Sequence, residues 1–269
     1  VKYDIHEVCG DRIRITTSDE RWYARKVSAD GTEENTRWEY YPSVTWIVNS
    51  GYPKGPELMR WVAKHGWDEA EEIKAAAGDS GSKEHQAVAV LLNGGTVDFT
   101  TEFENPRTLQ RESLTADEYG RVMSFAEWCE EEEPHVLSSE MTVWNERYRY
   151  AGTLDILCRL KSTNYEFNHI VDVKRSSYVW PTMELQVSAY AHADGIPRDE
   201  RGRLPRLGIL QIGYNKNKKK KFKYTAVRSR FDLFLSARRI WANEMSGVSP
   251  LQRDYPKSIS ISVGKAVTA

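Results

Sequence analysis

The sequence predicts a mixed α/β or α+β protein, and three patterns carry that reading. Short alternating runs bounded by turn formers mark strands, while longer stretches with apolar residues three and four apart mark helices. From about residue 115 the order is helix, three meandering strands, helix, strand. With 269 residues and 40% apolar content, the chain is long enough to bury a sizeable core. No apolar run reaches the roughly 20 residues of a spanning helix, and the N-terminus lacks a signal-peptide pattern. A cytosolic protein without a membrane partner is therefore expected.

Residues 11–17, 21–27 and 36–41 read as short strands with turns between them, notably Ala29 to Thr32. They make residues 1–53 a β-rich extension packed on a core of residues 54–269. Ser43 caps a short helix over 44–48. Pro56 opens a helix to His65, and Trp67 to Ala77 forms another, ended by a break at Gly78 and Gly81. A further helix covers 82–92. Thr115-Ala-Asp-Glu118 is a capping box for a helix to Glu132, stopped by Pro134. Strands follow over 136–149, 152–161 and 165–174. Pro181 opens a helix that closes by Gly195, residues 207–214 and 222–227 pair around a lysine-rich loop, and 229–245 form an amphipathic helix. The tail beyond Ser246 reads as loosely structured.

The charge balance, 38 basic against 39 acidic residues, excludes a generally basic nucleic-acid coat and leaves anion binding to local patches. The strongest basic run is Lys216 to Lys223, containing Lys218, Lys219 and Lys220; it reads as a solvated hairpin loop, with phosphate contact as the alternative. Cysteines at 9, 129 and 158 have no paired spacing for zinc or a disulfide framework. Cys158 reads as core. No glycine-rich phosphate loop is present, so no nucleotide cofactor is expected.

Chemistry concentrates between Gly152 and Tyr190. Asp172 and Lys174 share one face of their strand, and a tight turn at Thr163-Asn164 would set Asp155 opposite Asp172. Asp155 would then face away from Leu154, Ile156, Cys158 and Leu160. Two carboxylates and an ammonium on one patch suit Mg²⁺, whose open positions can take a phosphate while the lysine orients an attacking water. An isolated Asp-x-Lys is commonly a solvated strand face; here it lies in an apolar strand, where charge needs compensation. His85 shares a helical stripe with Val88, Ala89 and Leu92 and reads as a core histidine or a metal ligand, the ligand favoured. Glu84 falls on another face and reads as solvated. Glu140 reads as an exposed strand-end glutamate rather than the holder of a metal-bound water.

Gly152-x-x-Asp155, Asp172-x-Lys174, Gln186-x-x-x-Tyr190 and Gly81-Ser-Lys-Glu-His85 together resemble the PD-(D/E)XK nuclease superfamily, in its RecB-like and lambda-exonuclease branches. Ser82 stands where a threonine is common, and the second acid is Asp where many members have Glu. The resemblance implies a restriction-endonuclease-like core, a central mixed sheet flanked by helices. It implies a phage-encoded type of Mg²⁺- or Mn²⁺-dependent DNA exonuclease, often of 5′→3′ polarity, in recombination, replication or repair. His85, Asp155, Asp172 and the carbonyl of Val173 would hold the metal, and Lys174 would position the water. Gln186 and Tyr190 would lie at the cleft, and Ser176, Tyr178 and Trp180 would contact DNA. Three cysteines fall short of the four that an iron–sulfur cluster needs, so none is expected. The resemblance leaves room for a recombinase or single-strand annealing protein as partner and for a trimeric ring. An endonuclease on the same core, or a non-catalytic DNA-binding module, remains an alternative.

Overall fold

The computed structural model describes residues 4–9, 12–16, 20–28, 36–106, 108, 110–199, 201–214, 221–247 and 250. Among these, strands β1 (Asp4–Cys9), β2 (Arg12–Thr16), β3 (Arg21–Ser28) and β4 (Thr36–Pro42) form an antiparallel meander in that order. The sequence reading contained the last three only. β1 is an edge strand with an irregular register between Glu7 and Cys9, which breaks the alternation that would mark it. The turn expected at 29–32 lies outside the described residues, as does most of the tail beyond Ser246.

Helix α1 (Val44–Gly51) starts where the Ser43 hydroxyl accepts the Trp46 amide at 3.1 Å. It is followed by α2 (Pro56–His65) and α3 (Trp67–Leu92). The break expected at Gly78 and Gly81 does not occur: α3 runs unbroken for 26 residues. Each interior glycine costs only about 1 kcal/mol against alanine, and the run of alanines before Gly78 and the Lys83–Val90 segment after Gly81 favour the helix. The Ser82 hydroxyl donates back to the Gly78 carbonyl at 3.0 Å, inside the helix rather than as a cap. Two three-residue strands, β5 (Glu102–Glu104) and β6 (Arg111–Ser113), then pair, and α4 (Ala116–Glu132) opens with both arms of its capping box formed.

The main sheet comprises β7 (His135–Asn145), β8 (Tyr150–Arg159), β9 (Asn168–Lys174), β10 (Arg206–Ile212) and β11 (Phe222–Val227), in the order β11-β10-β9-β8-β7. It is mixed. β9 and β10 are parallel, connected through α5 (Pro181–Ala191), and the other pairs are antiparallel. Between β8 and β9 the chain makes a 3₁₀ turn at Lys161–Thr163, with Asn164 and Tyr165 in the left-handed region, so β9 starts three residues later than expected. The loop is longer than a tight turn but has the same centre. The expected register survives, with Ile156 opposite Val171.

Helices cover both sheet faces. On one, Val88 of α3 with Phe125 and Trp128 of α4 packs against Ile156, Cys158, Val171 and Val173. On the other, α1, α5 and α6 (Phe231–Glu244) pack against Leu154, Leu157, Ile170 and Ile209. Burying each such side chain contributes roughly 1.5–3 kcal/mol. Ile15, Trp22 and Ala24 of the N-terminal sheet join this second cluster. Trp22, Trp46 and Trp241 meet edge to face there, with centroids 4.8, 4.9 and 5.8 Å apart. Among the described residues, no helix is long and apolar enough to cross a membrane.

Candidate metal centre

The β8–β9 ladder ends at Ile156↔Val171, and Asp155 and Asp172 are the first residues beyond it. There the Asp155 carboxylate accepts the backbone amide of Val173 at 2.7 Å, so a side chain occupies a place the ladder would otherwise fill. The sequence reading put Leu154 and Ile156 on one face with Asp155 opposite. In the structure Leu154 and Ile156 belong to the two different cores, with Asp155 between them. Strict alternation fails where β8 has lost β9 as a partner and its pairing with β7 skips the left-handed Glu140.

Asp155 is 8% exposed, and its other oxygen lies 3.5 Å from Nδ1 of His85. Nδ1 is also 3.8 Å from the Glu140 carboxylate. Ligand atoms of His85, Glu140 and Asp155 all fall within 4.8 Å of one another. Glu140 sits between the paired Ser139↔Ile156 and Met141↔Leu154, hence across from Asp155, and has a left-handed φ of 48°. Glu140 is exposed, as expected, but it lies in the middle of β7 rather than at a strand end. Strand arithmetic through the β7–β8 hairpin would have found it. Burial works against a charge on His85, but Asp155 and then Glu140 outweigh it and hold the imidazole up to about 9.

Asp172 is 1% exposed, and Lys174 on the same strand face brings Nζ to 2.6 Å from its Oδ2. Oδ1 is buried with no hydrogen-bond partner among the described residues. Desolvation pushes the Asp172 carboxyl up; Lys174 opposes this, and Asp155 adds to it. Desolvation lowers the Lys174 ammonium, but Asp172 outweighs it, and the net direction is up. A negative pair of acids, a lysine and an imidazole thus share charge across the strand ends. The amide N–H of Val173 is bonded to Asp155, and its carbonyl is the group expected as a metal ligand.

Tyr190, expected at the cleft, is 2% exposed and packs in the core; burial, and then the charge of Asp172, raise its pKa well above the usual value. Its ring passes so close to Gly152 that a Cβ there would sit 2.5 Å from Cε1, so the glycine is a requirement of packing. The Gln186 amide donates to the Tyr190 hydroxyl at 2.9 Å. Ser176 organises the exposed turn after β9: its hydroxyl takes the Trp180 indole N–H at 3.1 Å, and Tyr178 and Trp180 stand 59% and 46% exposed. Lys218, Lys219 and Lys220 lie outside the described residues.

Glu84, expected in solvent, is 1% exposed. α3 is covered on two sides: His85 and Val88 look toward the sheet, while Glu84 and Ala87 look toward α4, a face the sequence reading left open to water. Glu84 lies 3.4 Å from Arg121, and desolvation, opposed by Arg175 and Arg121, pushes it up to about 7. Next to it Lys83, also buried, pairs with Glu118 at 3.0 Å. Comparison with protein-family models gives no match, and a search of curated proteins finds no significant relative.

Proposed function

We propose that the chain is a divalent-metal-dependent deoxyribonuclease of PD-(D/E)XK type, acting as a cytosolic exonuclease on DNA ends. The observation that carries this reading is the convergence of His85, Glu140 and Asp155 beside the buried Asp172–Lys174 pair. The donor set fits a small divalent cation. It offers one nitrogen and several carboxylate oxygens, and Asp172 Oδ1 is a buried acceptor without a donor among the described residues, which a cation would satisfy. His85, Glu140, Asp155 and Asp172 would hold Mg²⁺ or Mn²⁺, which when bound would supply Lewis-acid polarisation of a phosphoryl oxygen.

The chain's own residues have separable tasks in this reading. Lys174, held by Asp172, orients the attacking water and offsets charge gathering on the phosphate. Asp155 fixes the end of β9 through the Val173 amide and so sets the height of Asp172 and Lys174 together. Tyr178 and Trp180 present ring faces on which bases of a DNA end can stack. End-labelled linear DNA and a circular duplex, each incubated with Mn²⁺, Mg²⁺ or EDTA, test the proposal. Metal-dependent shortening of linear DNA with the circle intact is the expected result. Nicking of the circle would replace the exonuclease assignment by an endonuclease, and inertness of both substrates in both metals would overturn the nuclease reading.

A further inference from the structure

A cavity of about 600 Å³ lies away from the carboxylates, between β4, the β7–β8 turn and α6. Arg149 at its rim is six residues from Asp155, which along an extended strand is about 20 Å. Four arginines, Arg147, Arg149, Arg238 and Arg239, line the cavity, and none of the described residues that line it is acidic. The nearest countercharge is already divided. Glu39 lies 3.4 Å from Arg149, 3.0 Å from Arg25 and 3.6 Å from Arg37. Burial, and then the charge of Arg149, hold the Arg238 guanidinium below its usual pKa, the direction expected of a crowded cation without its own anion.

Two buried donors point to the same deficit. Nε of Arg238 and Nε1 of Trp241, on two α6 residues that line the cavity, are buried and have no hydrogen-bond acceptor among the described residues. Buried N–H groups are rarely left unpaired, and four arginines around one cavity without a carboxylate among its described lining residues favour an anion there. The walls are aromatic. The Arg238 guanidinium lies 4.9 Å over Trp241 and that of Arg147 lies 5.2 Å over Tyr148. The volume falls in the range of organic ligands and exceeds what a bare oxyanion fills.

We propose that this cavity binds one nucleotide unit, its phosphate on the arginines and its base against the aromatic wall. The unit can belong to a single strand or to a free nucleotide, since both offer the same phosphate and ring. The site stands on residues separate from the carboxylates and does not rest on the metal reading.

Binding of fluorescein-labelled dT12 in EDTA, followed by anisotropy, isolates this site from metal-dependent chemistry. The paired substitution Arg147→Ala and Arg239→Ala, both at exposed positions, is expected to weaken binding tenfold or more. Lys64→Ala, an exposed cation elsewhere, serves as the control and is expected to bind like the parent chain. Competition by unlabelled dTMP identifies a free nucleotide as ligand, whereas competition by dT12 alone identifies the strand. Unchanged affinity in the double variant overturns the proposal, and so does inorganic phosphate competing as well as dTMP and dT12 do.

Discussion

The carboxylate of Asp155 accepts the backbone amide of Val173 at 2.7 Å, across the point where β8 and β9 part. One side chain therefore both ends a ladder and faces a candidate metal site, so its two roles can be separated by substitution. Asp155→Ala leaves the Val173 donor without its acceptor and is expected to cost about 1–3 kcal/mol. Asp155→Asn keeps an acceptor oxygen and is expected to melt closer to the parent, while both variants lose cleavage. Urea melts beside a cleavage assay check this; equal stability of the two variants would show that the bond contributes nothing.

Lys174→Met is expected to reduce cleavage on the order of 10²-fold or more while Mn²⁺ binding persists, because the ammonium acts on water and phosphate. Calorimetric loss of Mn²⁺ binding with cleavage intact would assign the roles the other way.

Glu140 has a left-handed backbone that a side chain adopts at a cost. Glu140→Gly relieves that conformation while removing a carboxylate. The expected outcome is a melting temperature at or above the parent's, with Mn²⁺ affinity lowered. A variant that melts lower and binds Mn²⁺ normally would return Glu140 to a purely structural role.

Lys83 and Glu118 are 5% and 3% exposed and pair at 3.0 Å. Lys83→Ala leaves the buried acid without its countercharge, held only by its hydrogen bonds to the Thr115 amide and Ser80, an expected loss of about 3 kcal/mol. Replacing both, with Lys83→Met and Glu118→Gln, is expected to recover part of it. A double-mutant cycle in urea measures the coupling, and additive losses would deny it.

His169, 3% exposed, is held down to about 4 by burial and then by Arg206. An unfolded histidine titrates near 6.5, so below that pH the unfolded chain takes up a proton that the folded chain refuses. This contribution to stability is complete above about pH 6.5 and is lost as pH falls toward 4. At pH 5 the loss is about 2 kcal/mol. His169→Gln is expected to flatten this part of the stability profile; an unchanged slope between pH 7 and 5 would contradict it.

Where a local signal exists, the sequence was readable. Pro56, the Thr115 capping box and the alternation of residues 222–227 mark elements whose bounds the structure reproduces. The turn centre between Asp155 and Asp172 also carried the register correctly. What local patterns could not show was tertiary. Glu84 is buried because α4 covers a second face of α3, and Glu140 joins His85 because β7 lies beside β8 in the same sheet. Gly78 and Gly81 looked like a stop, yet the helix they interrupt is anchored beyond them by the buried Lys83, Glu84, Ala87 and Val88, and their cost of about 1 kcal/mol each does not end it.

The parallel pairing of β9 with β10 gives the order of chain synthesis a physical meaning. Asp172 and Lys174 lie opposite Ile209 and Gln211, more than thirty residues later in the chain, and α5 must be traversed before that neighbour exists. A chain ending before Arg206 can close the β8–β9 hairpin, but it leaves one flank of Asp172 open to water. The low-dielectric surroundings that set this acid apart from an ordinary surface aspartate are therefore completed last, by a strand that donates no charge of its own to the cluster.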